Sequence, residues 1–153
     1  MPERTKAQNA RDKLNELAAI LLRYKIGHGT EAKMQAQIQA ILDAAKIPSA
    51  REMILQGGGR LDLAAAYPIV LNEDRDVSKN WKEKLVFGLP FVIAIECKIA
   101  DTTYDLLSQI SGYIQHPDVA AVLVVTSRQA HREMPEELHG KPVAVVWVGG
   151  NSL

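Results

Sequence analysis

Glu96 and Lys98 stand two residues apart inside FVIAIECKI, residues 91–99, a run that is otherwise apolar. Such a run reads as a buried strand, where charged side chains are rare without a partner or a task. Side chains alternate along a strand, so Glu96 and Lys98 share one face while Ile95 and Cys97 take the other. A carboxylate beside an ammonium near a strand end can hold a metal and handle a proton. It can equally be an ion pair on a solvated face. A second acid bears on that choice. Asp62 lies in GRLDLAAA, residues 59–66, between Leu61 and Leu63. An acid so placed costs free energy unless it is paired or ligates a metal. Carboxylates from two neighbouring strands can hold Mg2+, which prefers hard oxygen ligands and keeps several waters. The backbone carbonyl of Cys97 offers a third protein ligand.

The elements that must place these groups follow from periodicity and breakers. Residues 9–25 carry Leu14, Leu17 and Leu21 at helical spacing, with Ala18 and Leu22 beside them. Gly27 and Gly29 break that helix. Thr30 can cap a second helix over 31–46, whose stripe is Met34, Ile38, Ile41, Leu42 and Ala45. Pro48 stops it. Residues 51–57 read as a short strand, Gly57, Gly58 and Gly59 as a tight turn, and 60–66 as a second, antiparallel strand. The charged stretch 72–84 reads as a loop or exposed extension. After the strand at 91–99, Thr102 or Thr103 can cap a third helix running to about Gln115. Residues 119–126, VAAVLVVT, are continuously apolar, as a buried strand should be. A short helical turn is expected at 135–138, and VAVVWV, residues 143–148, is the last strand. The order α-α-β-β-β-α-β-β predicts an α/β fold with a central mixed sheet flanked by helices. The third helix then crosses over to a parallel neighbour.

A chain of 153 residues suggests one domain with a core of its own. With 47% apolar and 24% charged residues it reads as globular rather than disordered. The single Cys97 excludes a disulfide framework within the chain, and a reducing cytoplasm is the expected setting. The charged first residues predict no secretory signal. No apolar run reaches membrane length, so no membrane partner is expected. Lys plus Arg equals Asp plus Glu, at 18 each, so the net charge is zero. That balance counts against tight, non-specific binding of nucleic acid by a monomer. Bound metal can offset part of a phosphate's charge.

Asp62 followed by Glu96-Cys97-Lys98, on two consecutive apolar strands, resembles the PD-(D/E)xK nuclease superfamily over about residues 30–148. Where that pattern has a Pro-Asp pair, this chain has Leu61-Asp62. Gly59-Arg60-Leu61-Asp62 looks like the G-R-x-D strand of the RecB-type branch. Gln109-Ile110-Ser111-Gly112-Tyr113 looks like its Q-x-x-x-Y helix, with Gln109 and Tyr113 on one helical face. The resemblance implies a restriction-endonuclease-like fold with Asp62, Glu96 and Lys98 as the catalytic centre. It implies one or two Mg2+ or Mn2+ ions on Asp62 and Glu96. Glu31 on the second helix is a further candidate ligand, with Gln35 a turn later as a secondary one. Glu31 reads equally well as a first-turn acid favouring the helix dipole. On this reading the metal lowers the pKa of a bound water for in-line attack on a DNA phosphodiester. Lys98 positions that water or meets charge growing on the phosphate oxygens. Beside two carboxylates it should stay charged, which favours electrostatic help over general-base work. Gln109 would orient the water or the backbone, and Tyr113 would support it against the nucleic acid. Arg60 would reach a phosphate, or form a surface salt bridge instead.

Other residues take smaller parts. The glycine triplet is no phosphate loop, because no Lys-Ser/Thr pair and helix follow it. His28, His116, His131 and His139 have no metal-ligand spacing. Trp81 and Trp147 read as packing residues, and the Cys97 side chain as a small apolar filler. A nucleic-acid-binding module without cleavage, and a protein-interaction scaffold, are the competing functions. Residues 1–27 are expected to be a helical extension outside a nuclease-like domain at 28–153. That first helix could join two copies as a homodimer.

Overall fold

A computed structural model of the chain describes residues 6–27, 29–55, 57, 59–67 and 91–149. His28, Gly58, Trp81 and the expected loop at 72–84 lie outside them. Among the described residues, six strands form one mixed sheet and three α-helices cover it. The strands are β1 (Ser49–Ile54), β2 (Arg60–Tyr67), β3 (Phe91–Lys98), β4 (Val119–Thr126), β5 (Glu137–Leu138) and β6 (Lys141–Trp147). Their spatial order is β1-β2-β3-β4-β6-β5. The first three strands pair antiparallel, β4 runs parallel to both β3 and β6, and β5 is an antiparallel edge.

Helix α2 (Glu31–Ala44) starts where the Thr30 hydroxyl accepts the Lys33 N–H at 3.1 Å. Helix α3 (Thr103–Ile114) starts the same way, with Thr102 accepting from Asp105 at 3.1 Å. Each such cap is worth about 1 kcal/mol. Helix α3 is the crossover that lets β4 run parallel to β3. The alternation of the strands then divides the core in two. Leu63, Ile93, Ile95, Cys97, Leu123 and Val125 face α1 (Lys6–Leu22) and α2. Ala64, Ala66, Val92, Ala94, Val122 and Val124 face Leu106, Ile110, Tyr113 and Ile114 of α3.

Two expectations are corrected. The first helix is not an extension outside the core. Leu14, Leu17 and Leu21 are fully buried, and α1 lies against β4 and β6. An apolar stripe removes itself from water on the nearest uncovered sheet face, here its own chain's. The apolar stripe of the helix offered as a dimer contact is therefore occupied within the chain. The helical turn expected at 135–138 is also absent. A 3-10 turn lies earlier, at Gln129–Glu133, and Glu137–Leu138 pairs with β6 instead. Between these strands His139 and Gly140 both take positive φ, 50° and 76°. That is the two-residue hairpin turn whose twist suits antiparallel strands. No described helix is long and apolar enough to cross a membrane.

Candidate active site

The register of β2 and β3 sets the site. Leu63 lies opposite Ile95 and Ala64 opposite Ala94. Continued one step, that register sets Asp62 opposite Glu96, near enough for its charge to act on that carboxylate, and Glu96 falls on the α3 face with Ala94. Asp62 is held there by the backbone, its Oδ2 accepting the Cys97 N–H at 2.9 Å. Cys97 thus serves this face through its main chain, while its side chain packs under α1 and α2. Lys98, next on the same face, brings its Nζ to 3.4 Å from Glu96 Oε1.

Helix α3 closes the site from above. Gln109 Nε2 donates to Glu96 Oε1 at 2.8 Å, and the Tyr113 hydroxyl donates to Glu96 Oε2 at 2.9 Å. Their one-turn spacing is what lets two residues of one helix reach the two oxygens of one carboxylate. Glu96 is only 1% exposed. Burial first, and the Asp62 charge second, push its pKa up to about 7, against the pull of Tyr113 and Lys98. Burial and the Glu96 charge push the Tyr113 hydroxyl well above its ordinary range, so it stays a donor. Burial lowers the Lys98 ammonium, but Asp101, Glu96 and Glu31 outweigh it and leave it raised, hence charged.

A hard divalent cation fits these residues. Two facing carboxylates, one of them destabilised as an anion by burial and by the other's charge, form an oxygen donor set with excess negative charge. Among the described residues no three His, Cys, Asp or Glu side chains gather as a cage. Mg2+ needs no such cage when one or two carboxylates, carbonyls and waters complete its shell. Gln109 and Lys98 both meet Glu96 Oε1 while Tyr113 alone meets Oε2, so Oε2 keeps a lone pair that a cation can take without displacing any of them.

Asp62, Glu96, Lys98, Gln109 and Tyr113 are therefore one cluster. Glu31 stands at its margin, its Oε2 accepting the Ile99 N–H at 3.5 Å, where its charge reaches Cys97 and Lys98. Gln35 is buried and accepts from Arg51 at 3.4 Å. Arg60 makes no contact with the cluster and pairs with Glu52 at 3.3 Å on the surface. A polar cavity of about 700 Å³ adjoins the cluster, lined by Gly57, Arg60, Gln109, Gly112 and His116 among others. Its wall is open at Gly112, where an added Cβ would meet nothing within 4 Å. A larger cavity, about 870 Å³, lies by Leu21, Ile26 and Trp147, around residues that take no part in the carboxylate cluster.

Three further residues belong to the cluster's edge and were not legible from spacing. Asp101 Oδ2 lies 3.1 Å from Lys98 Nζ, closer than Glu96 does. His131, fully buried, sets its Nε2 3.0 Å from the Asp101 carbonyl and its Nδ1 2.7 Å from Thr126 Oγ1. Thr126 lies beside Lys98 in the β3–β4 register. The available signal was Asp101 three residues after Lys98, next to a helix cap. Comparison with protein-family models, with curated proteins and with solved structures finds no match to this chain.

Proposed function

We propose that the chain is a divalent-metal-dependent nuclease that hydrolyses DNA phosphodiester bonds, its sheet serving as a restriction-endonuclease-like core. The observation that supports this most is the facing of Asp62 and Glu96 across β2 and β3, with the Lys98 ammonium 3.4 Å from Glu96 on the same face. Asp62 and Glu96 would hold Mg2+ or Mn2+, with the Cys97 carbonyl and Glu31 nearest to complete the set. When bound, such a cation supplies charge for the phosphate and a more acidic water. Lys98, fixed and charged in a site shielded by α3, offers its ammonium to the negative charge that builds on the phosphorus oxygens. Gln109 is exposed at the cavity while its amide holds Glu96, so it can turn to a water or to the backbone of a strand in that cavity. Tyr113 holds the Glu96 carboxylate by its second oxygen.

A non-catalytic role for the same cluster is the competing reading. Glu96 accepts from Gln109 and Tyr113 and pairs with Lys98, a degree of satisfaction that also suits a structural network tying α3 to the sheet. One assay separates them. Wild type, Asp62→Ala and Lys98→Ala are incubated with linear, circular, single-stranded and branched DNA, in Mg2+, Mn2+ or EDTA. Metal-dependent cleavage lost in both variants supports the nuclease. Cleavage unchanged in both removes this site, and no cleavage of any substrate by wild type favours the non-catalytic role.

A further inference from the structure

We infer that Asp101 is a positioning residue for Lys98, and that His131 holds the turn from which Asp101 acts; the inference rests on the nuclease reading for its catalytic consequence. Lys98 has two carboxylates within ion-pair distance, and the nearer is Asp101, at 3.1 Å against 3.4 Å for Glu96. The difference in role is larger than the difference in distance. Glu96 is the oxygen that a cation must claim, and a carboxylate that shares its charge with a cation holds an ammonium less firmly. Asp101 stands outside the facing pair of carboxylates and is half exposed, so it keeps Lys98 in place when Glu96 turns to other work.

The backbone at Asp101 is built for this task. Its φ of 74° lies in the left-handed region, which costs a residue with a Cβ on the order of 1 kcal/mol or more. Aspartate tolerates that region better than most, but glycine is the residue that suits it best. A glycine there would lose the carboxylate. The turn is fixed from beneath by His131. A carbonyl oxygen can only accept, so His131 Nε2 carries the hydrogen given to the Asp101 carbonyl at 3.0 Å. Thr126 Oγ1, which accepts the Arg128 N–H at 3.0 Å, donates its own hydrogen to His131 Nδ1 at 2.7 Å. Each polar atom of this buried chain has a partner of the correct sense. The chain begins at the β4 residue that neighbours Lys98 and ends at the turn that grips it. A fully buried histidine thus holds the turn from which a strained aspartate pairs with the ammonium.

The test uses the full-length chain with Asp101→Gly, Asp101→Asn and His131→Asn. Asp101→Gly relieves the backbone and Asp101→Asn keeps the turn, so thermal unfolding should change little in either. The Lys98 ammonium is observed by proton–nitrogen NMR in metal-free protein, assigned by its absence in Lys98→Ala. We expect a slowly exchanging Lys98 signal in wild type that is lost or broadened in both Asp101 variants. On the best DNA substrate, kcat should fall on the order of 10- to 100-fold with KM nearly unchanged, the size usual for removing the partner that orients an active-site group. His131→Asn should lower kcat in the wild-type background and add nothing in the Asp101→Gly background. If that variant does not fold, Thr126→Val replaces it in the cycle. An unaltered Lys98 signal and unaltered kcat in both Asp101 variants overturn the inference while leaving the nuclease intact. Loss of the signal in a protein that cuts no DNA keeps the tether and removes its catalytic meaning, along with the nuclease reading.

Discussion

The Tyr113 hydroxyl donates to Glu96 Oε2 at 2.9 Å, and this buried bond joins α3 to β3 at the carboxylate that faces Asp62. Tyr113→Phe deletes the hydroxyl and keeps the ring. The expected cost is about 1.5–3 kcal/mol, because a buried carboxylate loses a donor. Tyr113 pulls the Glu96 pKa down, so its loss should raise that pKa further. Urea denaturation reads the first effect. The pH profile of cleavage reads the second, as an acid limb displaced to higher pH.

Glu96 makes stability depend on pH in a defined direction. Its folded pKa, about 7, lies above the ordinary 4.5. Below 4.5 it is protonated in both states and costs nothing. Between 4.5 and 7 the unfolded chain releases the proton that the folded chain keeps, so stability falls as pH rises, by roughly 3 kcal/mol in full. In EDTA, Glu96→Gln should flatten that decline between about pH 5 and 7. An equal slope in the variant would assign the decline to other groups.

A divalent cation should reverse the same trend. It binds the ionised pair and offsets the charge that burial penalises, so Mg2+ or Mn2+ should raise Tm more at pH 8 than at pH 5. At free metal near 100 times Kd, the gain is about 2.7 kcal/mol. Asp62→Asn should abolish it, as followed by differential scanning calorimetry.

Helix α1 should matter to the whole fold. Leu17 is fully buried between that helix and the sheet. Leu17→Ala should cost about 2–5 kcal/mol in urea denaturation, through lost burial and the cavity left behind. A cost below 1 kcal/mol would mean that the helix is peripheral.

Much of this arrangement could be read in advance, for local reasons. Asp62, Glu96 and Lys98 stood out because charge in an apolar strand must be satisfied, and alternation alone put Glu96 and Lys98 on one face. Thr30 was visible as a cap, and Thr102 as one of two candidates beside Thr103, because a cap is decided within four residues. Asp101 and His131 were not visible, because their contact joins residues thirty positions apart through a left-handed turn that no apolar pattern records. The amphipathic stripe of α1 announced that it needed a cover, but not that β4 and β6 would supply it. The hairpin at His139-Gly140 has an unusual first residue for two consecutive positive φ values, and this hid β5.

Cys97 lies between Glu96 and Lys98, is the chain's only cysteine, and is fully buried on the opposite face of their strand. Burial raises the pKa of its thiol, which makes it a poor nucleophile while the sheet is closed. A thiol-reactive dye can therefore modify it only when the helices α1 and α2 that cover it lift from the sheet. The labelling rate clocks the uncovering of the very strand that carries Glu96 and Lys98, without any engineered cysteine. Followed against denaturant, it separates local lifting of those helices from global unfolding.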